Sequence, residues 1–378
     1  MGLIAKLPRL RPPSGDLLHL DLMRFVAAAG IVFHHSHEFF VPASKSPFLI
    51  REQREGLALF VDLFFLISGF VIAHIYHNRM NSIVDYVSFL QRRIGRLVPL
   101  HWLTLLVSIT LWSMFVLFHY ADETPSYEPR CIAQTALLLH SFLPCGRAFN
   151  GVTWSLSAEM VMYAGFPVVA AIGARTPRLL VGMGLCALAL MMMAVIAQGK
   201  WKLNGSAWIE LPPVLRALPS FVFGAALFYN RNIVAMLPAP GFILAAATAL
   251  AIAAMMSGAP QLLTLLIIYL IAAAAAAADY AGAPSAVVRR LAPLGQLTYS
   301  IYMWHLLLIL IFINLAGPIS LNGHTLSAAI APVACYCSII LVSYVSFVFI
   351  ETPARRWICG LNFFKPAFNG TMPRCSKQ

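Results

Sequence analysis

The chain has 378 residues, of which 60% are hydrophobic and only 11% charged, and its mean hydropathy is +0.79. Soluble domains carry roughly 25% charged residues, so these proportions exclude an ordinary soluble protein. So apolar a chain is not disordered, and seven cysteines are too few for a disulfide scaffold of this length. A membrane protein is the class that remains. The 26 Lys and Arg against 14 Asp and Glu give a net charge of +12, which in a soluble protein would suggest nucleic acid. Here no nucleic acid is expected, and the placement of the charges matters more than their sum.

A bilayer core of about 30 Å takes about 20 apolar residues per helix, and ten such runs follow one another with short polar connections. The expected fold is all-α, a polytopic membrane helical bundle with about ten transmembrane helices. The first span, Leu20 to Phe40, carries Arg24 and a cluster of His34, His35, His37 and Glu38. The eleven-residue step from Arg24 to His35 is within about 20° of three full turns, which puts both side chains on one helix face about 16 Å apart. An ordinary histidine titrates near pH 6.5, which suits a general base that takes a hydroxyl proton. The residues alone leave a second reading open, in which His35 is a hydrogen-bonded structural residue and Arg24 snorkels to the surface. Glu38 could orient His35 or sit among the headgroups. His34, His37 and Glu38 lack a second ligand set, so no metal is expected. The run Ala27 to Ala29 lies inside the apolar stretch and is not read as a signal-peptide cleavage site.

The second span, Leu57 to Tyr76, contains Ser68-Gly69-Phe70, for which close helix packing is the plain explanation. Before the third span, Leu97 to Phe118, the segment Gln91 to Pro99 gathers Arg92, Arg93 and Arg96. Such a cluster can hold phosphates through bidentate hydrogen bonds or anchor the chain to anionic lipid. The longest outer loop, about Tyr120 to Gly151, holds Asp122, Glu123, Glu128, Cys131 and Cys145, and the two cysteines either pair in an oxidising compartment or remain thiols. The fourth span, Val152 to Ile172, begins with Trp154-Ser155-Leu156-Ser157-Ala158-Glu159, with Tyr163 one turn on, and its glutamate calls for an arginine or histidine partner across the bundle. Leu179 to Ala197 is the fifth span. The sixth and seventh, Val214 to Tyr229 with Arg216 near its start and Phe242 to Ser257, are short enough to be tilted, broken or re-entrant. The eighth, Leu262 to Ala278, ends in the run Ala272 to Ala278, either a close-approach face or helical filler. The ninth, Gln296 to Ala316, groups Tyr299, Tyr302, Trp304 and His305, an aromatic cluster that could line an acceptor path or simply pack. The tenth is Thr325 to Ile350, where Cys335 and Cys337 point in different directions and make no metal pair.

Basic residues concentrate in alternate connections, among them Arg79, Arg92, Arg93, Arg96, Arg289, Arg290, Arg355 and Arg356, which puts both termini in the cytoplasm. The chain then divides into a cytoplasmic tail over 1–19, a transmembrane domain over 20–352 and a cytoplasmic tail over 353–378. No Walker A loop, G-x-S-x-G elbow, H-E-x-x-H or H-x-x-x-x-D motif occurs, which argues against an ATP-driven pump or a membrane serine hydrolase of the usual type.

Six segments in order, LDLMRFVAAAGIVFHH with its R-x10-H spacing, DLFFLISGFVI, RRIGRLVPLHW with its R-x-x-R, WSLSAEMVMYAGFP, LGQLTYSIYMWH and the closing ETPARRW, resemble acyltransferase family 3. These are integral-membrane O-acyltransferases that modify O-antigen, exopolysaccharide, peptidoglycan and nodulation factors. The resemblance implies transfer of an acyl group, acetyl by default, from cytoplasmic acyl-CoA to a hydroxyl of a carbohydrate, lipid-linked sugar or glycolipid acceptor at the bacterial inner membrane, amid membrane lipid and with no permanently bound cofactor. It matches Arg24 and His35 to the family's basic-residue and histidine pair, Arg93 and Arg96 to its R-x-x-R, Ser68, Gly69 and Phe70 to its S-G-F, and Glu159 to its glutamate. The expected catalytic residues are accordingly His35, Arg24 and Glu159, with Arg93, Arg96, Ser68, Tyr302 and His305 binding substrate. His35 would act as general base or carry the acyl group as a covalent relay. Only a short segment follows Ile350, so a stand-alone form without the extra hydrolase-like domain of some relatives is expected. The competing classes are a transporter or flippase in which Arg24, His35 and Glu159 line a path, and a regulatory protein that kept the fold without activity.

Overall fold

A computed structural model describes residues 10, 17–36, 56–118, 125–143, 145, 148–197, 211–321 and 325–361. The expectations for His37, Glu38, Asp122 and Glu123, and for most of both tails, lie outside them. The described residues form helices and connections, with no strand among them, as a helical membrane bundle requires. The main elements are α1 (Leu18–Ser36), α2 (Phe60–Tyr76), α3 (Ile83–Leu117), α4 (Pro129–Ala136), α5 (Thr153–Arg175), α6 (Pro177–Ala197), α7 (Pro213–Tyr229), α8 (Pro240–Met256), α9 (Gln261–Ala281), α10 (Ala286–Leu291), α11 (Thr298–Leu321), α12 (Thr325–Ser346) and α13 (Thr352–Gly360). Among the described residues six stretches are long and apolar enough to cross a membrane, and Phe60–Tyr76, Pro213–Tyr229 and Pro240–Met256 are shorter apolar helices.

One boundary departs from expectation in a way that matters for function. The third span begins at Ile83, because Ser82 is an extended N-cap whose hydroxyl accepts from the Asp85 amide at 3.1 Å. The resulting 35-residue helix is about 50 Å long, more than the bilayer core needs. Its first turns, with Arg92, Arg93 and Arg96, are therefore helical rather than a connecting segment, and Pro99 lies inside the helix.

The closest helix approach joins α2 to α7. A Cβ on Gly69 would collide with the Phe221 carbonyl, and one on Gly224 with the Leu66 carbonyl, so each glycine admits the other helix's backbone. The same pair is locked by a buried ion pair, Arg216 Nη2 to Asp62 Oδ2 at 2.9 Å. Arg216 also donates to the Ala58 carbonyl at 2.9 Å and lies 5.0 Å from the Trp154 ring centroid. Arg216 thus spends its charge on architecture.

Helix α1 is fixed at both ends. Asp279, on α9, accepts from the backbone amides of His19 at 2.8 Å and Leu20 at 3.2 Å, and sits 2.8 Å from His19 Nδ1. It caps the α1 N-terminus across the bundle, where first-turn amides have no partner within their own helix. At the other end the Ser36 hydroxyl lies 2.6 Å from the Tyr336 hydroxyl on α12. The alanine run of α9 is a close-approach face: Ala272 and Ala274 to Ala278 are all buried, where α9 packs against α8 and α1.

Between α3 and α5, Cys131 and Cys145 form a disulfide with Cα atoms 5.5 Å apart, which settles the sequence alternative in favour of pairing. The segment it closes is hydrogen-bonded to the bundle. His101 Nε2 donates to the Thr135 carbonyl at 2.8 Å, Trp102 Nε1 to the Ala136 carbonyl at 2.9 Å, and the Ser141 amide to the Ser157 hydroxyl at 3.1 Å. Cys335 is buried and Cys337 exposed, as expected of residues two apart on a helix.

Candidate active site

A cleft opens among α1, α2, α3, α5 and the start of α11, and its lining includes Arg24, Ser68, Arg93, Arg96, Glu159 and Tyr302. Six of the eight site residues expected from sequence thus face one space, although they come from five separate helices. Tyr163, Tyr299, Thr298 and Ser155 complete its polar wall.

Each arginine is placed differently. Arg24 points from α1 and donates to Asp21 Oδ1 at 3.2 Å, one turn earlier. Arg93 is buried, only 4% exposed, because its helix turns it inward among aromatic rings. Its guanidinium carbon is 5.3 Å from the Tyr76 centroid, 5.7 Å from Phe89 and 5.8 Å from Tyr163, a three-sided cation–π box. The Nε and Nη2 atoms of Arg93 make no hydrogen bond to a described residue. Those two atoms form one edge of the planar fork, the edge that grips an oxyanion with two parallel hydrogen bonds. Arg96 lies one turn on and also lines the cleft.

Among the described residues, Glu159 finds hydroxyls rather than a cation at bonding distance. Its Oε1 accepts from Ser68 Oγ at 2.7 Å and from the Tyr163 hydroxyl. Ser68 therefore faces the cleft while Gly69 beside it packs against α7. With three arginines against one glutamate the cleft is net positive, in surroundings where charge interactions are weakly screened. Such a cleft draws an anion.

His35 and His305 lie beyond this lining and meet each other. His305 Nε2 is 3.2 Å from His35 Nδ1. His305 is fully buried and packs at 5.7 Å between centroids against Tyr302, whose hydroxyl reaches Ser155 Oγ at 2.7 Å. Tyr302 is the layer between the histidine pair and the arginine end. Sequence reasoning missed Asp279, the cap that sets the height of α1, and Glu351, which is buried and accepts from Ser300 Oγ at 3.0 Å. An ionisable residue at the end of an apolar run was the available signal for both.

The acyltransferase domain family matches residues 17–348. Protein 2 in the picA locus of Rhizobium radiobacter is 39% identical over 95 residues, 25% of this chain and 44% of that protein. Acyltransferase MdmB of Streptomyces mycarofaciens is 29% identical over 153 residues, 39% of this chain and 37% of that protein. The chain spans less than half the length of each of these relatives, and no solved structure matches it. Since the family match runs through every helix that frames the cleft and the histidine pair, the chain belongs to the acyltransferase 3 family.

Proposed function

We propose that the protein is a membrane-bound O-acyltransferase that moves an acyl group, acetyl by default, from cytoplasmic acyl-CoA to a hydroxyl of a carbohydrate, lipid-linked sugar or glycolipid, in a bacterial inner membrane with both termini cytoplasmic. The observation that carries this reading is the polarity of the site: a cationic cleft at one end and a histidine pair at the other, joined by Tyr302. A CoA thioester has the same polarity, phosphates at one end and the reactive carbonyl at the other. The rise of about 16 Å along α1 from Arg24 to His35 is of the order of an extended pantetheine arm. The fork edge of Arg93, with Arg96 and Arg24, receives the phosphates. Glu159 and Ser68 order the wall between, and His35 takes the acceptor's hydroxyl proton as the oxygen attacks the carbonyl. The thioester already carries the activated acyl group, so the chemistry asks for no resident cofactor.

The test is to incubate membranes containing wild type or His35→Ala with radiolabelled acetyl-CoA and an extract of host glycans and lipids. The expected result is label in a base-labile ester with wild type only. Equal labelling by both proteins removes His35 from the chemistry. No labelling by correctly folded protein with several acyl-CoAs favours a transporter instead.

A further inference from the structure

The contacts around His35 and His305 assign the protons of both rings. Nδ1 of His305 lies 3.2 Å from the Ile301 carbonyl, and Nδ1 of His35 lies 3.0 Å from the Ile31 carbonyl. A carbonyl oxygen only accepts, so each Nδ1 carries the hydrogen. His305 in that tautomer presents a lone pair on Nε2, and this atom is the one 3.2 Å from His35 Nδ1. The single N–H of His35 is then shared between the Ile31 carbonyl and His305. Moving the His305 proton to Nε2 would set N–H against N–H and turn a lone pair towards the Ile301 carbonyl. One pair of neutral tautomers therefore satisfies all three contacts. The rings meet at a centroid distance of 5.1 Å and a tilt of 50°, which is a hydrogen-bonded approach rather than a stack.

We propose that His305 is a positioning residue: it holds His35 in the Nδ1–H tautomer, so that Nε2 is the nitrogen that takes the acceptor's proton. This rests on the reading of His35 as a general base. In the step, the acceptor O–H proton passes to His35 Nε2, its oxygen bonds to the thioester carbonyl carbon, the C–S bond breaks, and the imidazolium returns the proton to the departing CoA thiolate. While the His35 ring is cationic its Nδ1–H makes a charge-assisted bond to His305 Nε2. That bond is stronger than in the resting state, which is the condition for lowering the barrier. It also gives α11 a role distinct from lining an acceptor path. The histidine of the TYSIYMWH stretch faces inward to α1, and the neighbouring Tyr302 faces the cleft.

The inference is tested on the full-length protein in membranes by nitrogen-15 NMR of histidine-labelled material, with the His35 signals assigned by their absence in His35→Ala. Acetyl-CoA turnover with the host extract is measured alongside for His305→Leu and His305→Gln. The expected result is His35 protonated on Nδ1 in wild type. His305→Leu lowers kcat by about 10²-fold, within the range that general-base catalysis supplies, and leaves KM for acetyl-CoA unchanged. His305→Gln offers a carbonyl acceptor in place of Nε2 and restores most of the loss, which a merely structural role would not allow. A wild-type His35 protonated on Nε2 overturns the inference, as does full turnover by His305→Leu or a defect confined to KM. If His35→Ala transfers label as wild type does, the functional reading fails and the role of His305 with it. A wrong tautomer with an inactive His35→Ala overturns the inference alone.

Discussion

Replacing Arg93 by methionine separates its part in ligand binding from its part in folding. In the protein as it stands, two N–H groups of a buried cation have no described hydrogen-bond partner, an arrangement that costs about 1–3 kcal/mol per group. Against this stand three aromatic faces at 5.3, 5.7 and 5.8 Å, worth about 0.5–2 kcal/mol each. The two sums nearly offset. Methionine fills much of the same volume and makes its own contacts with aromatic rings, so the ligand-free stability of Arg93→Met should lie within about 2 kcal/mol of wild type. Binding is another matter. Two charge-assisted hydrogen bonds at about 1.5–3 kcal/mol each vanish, which corresponds to about 10²- to 10⁴-fold weaker affinity for CoA. The assay is thermal unfolding of the detergent-solubilised protein with and without CoA. At a hundred times its Kd the ligand stabilises wild type by about 2.7 kcal/mol, and at that same concentration Arg93→Met should show almost no shift. A variant that keeps the CoA shift, or one that unfolds early without ligand by well over 3 kcal/mol, would refute the reasoning and make Arg93 a structural residue.

Gly224→Ala should lower the unfolding temperature, because the new methyl meets the Leu66 carbonyl and forces α2 from α7 at about 1–3 kcal/mol; it should also lower transfer, since Ser68 is carried on the same turns of α2. Unfolding scans of the purified variant check the first effect and labelled acetyl transfer the second. Asp279→Ala strips the α1 amides of their cap and leaves His19 without its carboxylate, a loss of about 1–3 kcal/mol, whereas Asp279→Asn, which keeps one acceptor oxygen, should lose less in the same scan. Replacing Cys131 and Cys145 together by serine opens a loop of sequence separation 14 and should cost about 3 kcal/mol. In cells, Cys145 freed by Cys131→Ser should react with a membrane-impermeant thiol reagent added from outside; reaction only once the reagent is admitted to the cytoplasm would place the loop on the cytoplasmic side and overturn the orientation.

Much of the bundle is legible in the sequence, because a span is a local property. Pro177–Ala197 and Pro213–Tyr229 lie within two residues of their apolar runs at each end. The start of α3 was not legible in this way: its first turns carry Asp85, Gln91, Arg92, Arg93 and Arg96, a composition that hydropathy reads as a connection, while a three-residue cap at Ser82 makes it helix. Which of the adjacent arginines turns inward is likewise set by helical phase, and only Arg93 is buried. Pairings across the bundle were out of reach. Arg216 stands out as a membrane cation, but its partner Asp62 is 154 residues away, and Glu159, which shares the cleft with Arg24 and Arg93, takes its hydrogen bonds from two hydroxyls. His305 stood out as one of an aromatic group, yet its contact with His35 spans 270 residues, and no local pattern encodes it.

In the proposed function one ligand runs from the arginine cleft past Tyr302 to the histidine pair. The most direct measurement is a single-particle structure of the full chain in lipid nanodiscs with CoA. The expected structure has a phosphate against the Nε and Nη2 edge of Arg93 and the thiol end reaching His35. CoA bound with its phosphates away from Arg93 and Arg96, or with its thiol remote from His35, would contradict it.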